Sequence, residues 1–142
     1  MEIDRMKKLE SFLKYSEIER ENIKFVVDEN IRDEEGNPIE WELRKLKAQN
    51  GKEAEDAAFE LNIETQEAKF DQRAYRNKIM AMTVVYPDLN NAALQDAFGV
   101  RTPEELLGAM LDIGSYQKLE KQVTLINGFG KSFKEVKDKA KN

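Results

Sequence analysis

The chain has 142 residues, 36% of them charged, a net charge of −5, and neither cysteine nor histidine. Those absences exclude disulfides, thiol chemistry, thiolate–imidazole zinc sites and imidazole acid–base catalysis, and the acidic balance argues against a nucleic-acid footprint, which needs a basic patch. No apolar run approaches the roughly 18 residues of a membrane-spanning helix and the N-terminus lacks a signal-peptide core, so one cytoplasmic domain is expected.

In chain order, Asp4 is expected to cap a first helix in which Met6, Leu9, Phe12 and Leu13 fall at helical spacing, ending near Tyr15–Ser16. Residues 17–22 are charged and read as a loop. The period then changes to two. Ile23, Phe25 and Val27 alternate with their neighbours, and after Arg32-Asp33-Glu34-Glu35-Gly36-Asn37-Pro38 the alternation resumes as Ile39, Trp41 and Leu43 against Glu40, Glu42 and Arg44. This predicts a β-hairpin with Phe25, Trp41 and Leu43 on one face. A lone hairpin is marginal in water, so that face requires a covering helix.

Gln49 or Asn50 precedes a predicted helix over Lys52–Leu61, whose small-residue stripe of Ala54, Ala57, Ala58 and Leu61 suits close packing on a sheet, while Phe59 falls off the stripe and is expected to be partly exposed. Residues 62–69 read as a loop or a short third strand. Asp71 is the expected cap of the longest helix, along which Tyr75, Ile79, Met82 and Tyr86 recur three and four apart, with Met80, Thr83 and Val84 widening the buried arc. Pro87 and Asp88 stop it. Asn90 or Asn91 can cap a short helix that Gly99 closes, and Thr102-Pro103-Glu104-Glu105 is a capping box with proline at the first helical position. A last helix begins at Gly114-Ser115, carries Tyr116, Leu119, Val123 and Ile126 on one face, and ends at Asn127-Gly128.

The architecture predicted is α+β, mainly α-helical: an N-terminal β-hairpin (about 22–46) packed on a bundle of five or six helices, with residues 1–130 as the domain. Residues 131–142 hold five lysines against Glu135 and Asp138, a local +3 that leaves −8 elsewhere. That basic tail reads as a frayed, solvated helix, or as a segment that binds the acidic body of a neighbouring copy.

Three constellations invite chemistry and lack it. The carboxylates around Gly36 depart from calcium-loop spacing and have no bidentate glutamate. Gly-Phe-Gly-Lys-Ser at 128–132 lacks the upstream glycine and strand of a phosphate loop. Residues 92–111 have helix-turn-helix spacing, but the second helix opens Pro103-Glu104-Glu105 and has no lysine or arginine through Asp112, which would repel a phosphate backbone. No nucleophile–base pair stands out, and no catalytic, metal or cofactor-binding residue is assigned. The residues assigned to protein docking are Trp41, Arg44, Tyr86, Leu94, Gln95, Phe98, Met110 and Tyr116, with Trp41 also suited to the core and Arg44 on the opposite face of its strand.

The ordered set of segments resembles the XkdN-like phage tail assembly chaperones. It comprises Phe25-Val26-Val27, then Asp33 through Arg44, Pro87-Asp88-Leu89-Asn90-Asn91, Leu94 through Val100, Glu104-Glu105-Leu106-Leu107, Met110-Leu111, Gly114, Tyr116, Leu119 and Ile126-Asn127-Gly128-Phe129. It covers roughly residues 20–130. Ser115 stands where the family pattern has glutamate, and residues 48–70 match only loosely. The resemblance implies a non-catalytic, non-structural protein of the host bacterial cytoplasm, absent from the mature virion, that coats the tape measure protein until tail tube subunits polymerise around it. It also implies tail tube subunits and a frameshifted longer form of the chain as partners, self-association as a further state, and neither nucleic acid nor membrane. The rivals are a generic helical adaptor and a DNA-binding regulator using residues 92–111; a hydrolase is third.

Overall fold

The computed structural model describes residues 1–129. The basic segment 131–142, with both readings of it, lies outside the described residues. Element order is α1 (Glu2–Ser16), β1 (Ile23–Phe25), β2 (Trp41–Leu43), α2 (Ala48–Ala58), β3 (Phe59–Asn62), β4 (Glu67–Phe70), α3 (Gln72–Thr83), β5 (Val84–Tyr86), α4 (Ala92–Ala97), α5 (Pro103–Met110) and α6 (Ile113–Ile126).

The predicted hairpin forms. β1 and β2 pair antiparallel with Ile23 opposite Leu43 and Phe25 opposite Trp41, so alternate residues share a face. Trp41 and Leu43 are buried on that face, while Glu42 between them is half-exposed. In the connection, Asp33 Oδ1 accepts from the Glu35 and Asn37 amides, and Gly36 adopts φ +84°, a conformation that glycine reaches without strain. The cover arrives as expected from helices. Ile79 and Met80 of α3, Leu106 and Leu107 of α5, and Leu119 and Val123 of α6 form one buried cluster with Trp41, Leu43 and Val27.

Three helix ends follow the sequence signals. Asp71 accepts from the Arg73 and Ala74 amides, Asn91 from Leu94, and Thr102 from Glu105. Each satisfies amides that a helix start leaves free. Gly99 and Gly128 take positive φ where α4 and α6 stop.

Other expectations need correction. Asp4 lies inside the first turn of α1, which starts after Met1 without a side-chain cap. The helix through Tyr75 is neither the longest nor as long as its period suggests, because α3 ends at Thr83 and Val84–Tyr86 form a third strand on β2. Two β-branched residues and a tyrosine favour extended backbone, and Pro87 biases Tyr86 the same way. The free edge of β2 then offers the pairing, with Leu43 opposite Val84 and the Arg44 amide donating to the Thr83 carbonyl. The second helix starts four residues early at Ala48, where Asn50 Oδ1 accepts the Lys47 amide, and stops at Ala58. Of the two readings of residues 62–69 the strand is the nearer: Glu67–Phe70 form β4, paired with β3 in a second hairpin whose first strand overlaps the end of the predicted helix. The last helix starts at Ile113, because Asp112 is its cap and accepts the Ser115 amide; that bond holds the Asp112 carboxyl below its ordinary pKa.

Asn127 ties three elements together. Its Nδ2 donates to Thr83 Oγ1 at 3.1 Å and to the Val123 carbonyl, while its Oδ1 accepts the Leu46 amide at 2.9 Å. The end of α6 is thereby fixed against the end of α3 and the exit from β2.

Candidate protein-docking surface

The β3–β4 register places Phe59 opposite Phe70 and Leu61 opposite Ala68, with Glu60–Lys69 and Asn62–Glu67 alternating between them. Residues directly opposite share a face of a hairpin, so one face is Phe59, Leu61, Ala68 and Phe70 and the other is polar. No residue of either strand is buried, and Leu61 is 69% exposed. An apolar hairpin face left in water marks a place for a partner when it continues into a larger patch.

It does continue. The Phe70 ring lies 5.2 Å from Phe59 and 5.8 Å from Tyr75 of α3, centroid to centroid, both tilted. Beyond Tyr75 opens a groove of about 640 Å³ whose floor is Ile79 and Met80 of α3 and Val123 of α6, with Phe70 and Phe129 at its sides. Glu55, Arg76 and Glu120 stand at its polar margin. The lock at Asn127 sets the separation of α3 and α6 and hence the groove's width. The arrangement is a partly apolar depression between α3 and α6, and amphipathic helices bury their apolar stripes in grooves of this kind.

A second cleft, about 450 Å³, lies on another side of α3 among Arg44, Lys78, Met82, Val85, Asp88 and Glu104. It is more polar. Arg44 Nε donates to the Met82 carbonyl, and Lys78 pairs with Glu104 at 3.3 Å across to the start of α5. The glutamate that opens α5 is therefore already engaged with α3, and α5 presents a carboxylate-rich start with no lysine or arginine along it, Arg101 before its cap being the one basic side chain of the 92–111 corner. This weighs against the DNA reading.

None of the eight assigned docking residues lines the apolar groove. Trp41 is 1% exposed and cannot touch a partner in the folded chain; it belongs to the core because its strand face is the one the helices cover. Arg44 and Tyr86 are exposed on neighbouring strands of the first sheet, Arg44 lining the polar cleft. Leu94 and Met110 are half-buried against the core, and Gln95 is held inward by donating from Nε2 to the Leu89 carbonyl at 2.7 Å. Phe98 is exposed at the end of α4. Tyr116 donates to Asn77 Oδ1 at 2.9 Å, and burial, aided by the Glu120 charge, raises its phenol pKa. Three exposed apolar residues stand outside that set, Phe59, Leu61 and Phe70; Phe59 is exposed as expected, whereas Leu61, expected on the buried stripe of the second helix, is carried into solvent by β3. Their signal was present: apolar residues alternate on either side of Asn62–Gln66.

Thr83 is the only buried polar residue among the described residues, and no buried side-chain polar atom there lacks a partner. Among them also, no group of three or more acidic, histidine or cysteine side chains could hold a metal, and no helix is long and apolar enough to cross a membrane.

Comparison with known proteins places this geometry. Residues 9–141 match the model of a family described as phage XkdN-like tail assembly chaperone protein. The chain is similar to the phage-like element PBSX protein XkdN of Bacillus subtilis (strain 168), 25% identical over 139 residues that span 94% of this chain and 93% of that one. Its fold is similar to the crystal structure of the protein YqbN, with a TM-score of 0.67 and 22% identity over 79% of this chain and 88% of that chain.

Proposed function

This chain belongs to the phage XkdN-like tail assembly chaperone family, a non-catalytic one, and from that premise we propose that it binds the tape measure protein and keeps it soluble until tail tube subunits polymerise around it. The observation that carries this reading is the continuous apolar surface running from Leu61 and Phe59 through Phe70 and Tyr75 to the floor of the groove. A tape measure protein is long and helical, and its apolar stripes need cover before the tube encloses them. A helix laid in the groove buries that stripe against Phe70, Tyr75 and Phe129 above the core residues of its floor, and the hairpin face extends the contact. The net charge of −5 keeps the complex dispersed by like-charge repulsion.

Co-expression of a tagged chain with its tape measure protein tests the proposal. Wild type should recover the client at mild salt. Phe59→Glu with Leu61→Glu should lower recovery at least tenfold while far-UV circular dichroism stays unchanged, since both side chains are exposed. No recovery by wild type, or equal recovery by the double variant, would overturn the reading.

A further inference from the structure

Helix α1 has no buried residue. At about 100° per residue, Met6, Leu9 and Leu13 centre an apolar stripe flanked by Ile3 and Phe12, and all five are more than half exposed. A 15-residue helix with such a stripe is marginal alone in water and gains its stability from a covering surface. Among the described residues, the groove between α3 and α6 is a trough of matching kind. We propose that α1 of one copy lies in that groove of a second copy, and the reverse, giving a closed dimer whose grooves are shielded until a client displaces the helices. The proposal rests on the reading of the groove as a helix-binding trough.

Three observations select a second copy as the occupant. Charge is complementary: residues 1–16 carry +1 and residues 17–130 carry −9, and the groove margin has Glu55 and Glu120 against the single cation Arg76, acceptors for Arg5, Lys8 and Lys14 at the flanks of the stripe. Sidedness favours a neighbour. β1, to which α1 is joined, places Phe25 under Lys118 at 5.2 Å, whereas the groove is lined by Glu120, Val123 and Thr124 from the opposite face of α6. Asn22, at the end of the connection, likewise lines the polar cleft on another side of α3. Residues 17–22 span at most about 20 Å, so reaching the chain's own groove requires them to wrap a helix about 10 Å thick. Exposure agrees: α1 has no buried residue, so its own chain leaves the stripe uncovered.

Sedimentation equilibrium of the purified full chain tests this without any client. Wild type should be a concentration-dependent dimer. Leu9→Glu with Leu13→Glu should raise the dimer dissociation constant at least a hundredfold and leave the helical spectrum of the body intact. Glu120→Lys with Thr124→Arg, altering the groove, should do the same. Mixing the two variants should restore a heterodimer, because one intact helix then meets one intact groove; pairing of α1 with α1 could not achieve that. A wild type that stays monomeric, a helix variant that still dimerises, or a mixture that recovers nothing overturns the proposal. Client recovery is read separately, so a monomeric wild type that still recovers the tape measure protein sinks this dimer and leaves the client reading standing.

Discussion

Asn127→Ala removes the side chain that joins α6 to α3 and to the exit of β2. Its largest consequence is at the Leu46 amide, which loses its acceptor at 2.9 Å in a partly buried setting. Leaving such a donor unpaired costs about 1–3 kcal/mol. The lost bonds to Thr83 Oγ1 and the Val123 carbonyl weigh less, because the Thr83 hydroxyl still donates to the Ile79 carbonyl and Val123 still accepts the residue-127 amide. The whole change should destabilise by about 2–3 kcal/mol, a fall in Tm of about 6–12 °C for a chain of this length. Thermal and urea unfolding followed by circular dichroism measure it, and Trp41, the only tryptophan and buried in the core, reports loss of tertiary packing by fluorescence. A cycle with Thr83→Val isolates the bond between the two side chains, with an expected coupling of about 1 kcal/mol. A loss below about 0.5 kcal/mol for Asn127→Ala, against the range for an unpaired buried donor, would refute the view that this residue locks the groove walls.

Thr102→Ala should cost about 1 kcal/mol by freeing the Glu105 amide at the start of α5, measured by urea unfolding. Two glycine substitutions should have opposite signs: neither meets an atom within 4 Å, but Gly99 has φ +67° and Gly108 is at an exposed position of helix α5. Gly99→Ala should therefore destabilise by about 1–2 kcal/mol and Gly108→Ala stabilise by about 0.5–1 kcal/mol, both read from unfolding midpoints. The Tyr116 phenol is raised above the ordinary 10.0 chiefly by burial. A raised folded pKa means its contribution is present below pH 10 and is lost as pH climbs from there through the folded value. Tyr116→Phe should diminish the phenolate absorbance rise at its alkaline end and lessen the alkaline loss of stability.

Sequence reasoning reached the elements whose periodicity and punctuation agree. The first hairpin was legible because apolar residues alternate cleanly about a Gly-Asn-Pro turn, and α4–α6 because Asn91, Thr102 and Gly128 sit where helix ends need them. Val84–Tyr86 was not legible as a strand, since its apolar residues continue the helical period of α3 and only the open edge of β2, a tertiary fact, claims them. Asn127 reads as a helix-end residue; its bonds to Leu46 and Thr83 cross 81 and 44 residues of chain. The stripe of α1 was visible, but amphipathic periodicity states that a face wants cover without stating whose. Among the residues assigned to docking, burial removes Trp41. Aromatic and long side chains were chosen by type, and type does not separate Trp41 in the core from Phe59 in solvent.

Hydrogen exchange of the purified complex with the tape measure protein tests the central claim most directly, because it maps the contact without any substitution. The account expects new protection over residues 59–61, 68–80 and 120–129, the hairpin face and both walls of the groove. Protection confined to residues 92–111 or to the strands of the first sheet, with the groove exchanging as in the free chain, would contradict it.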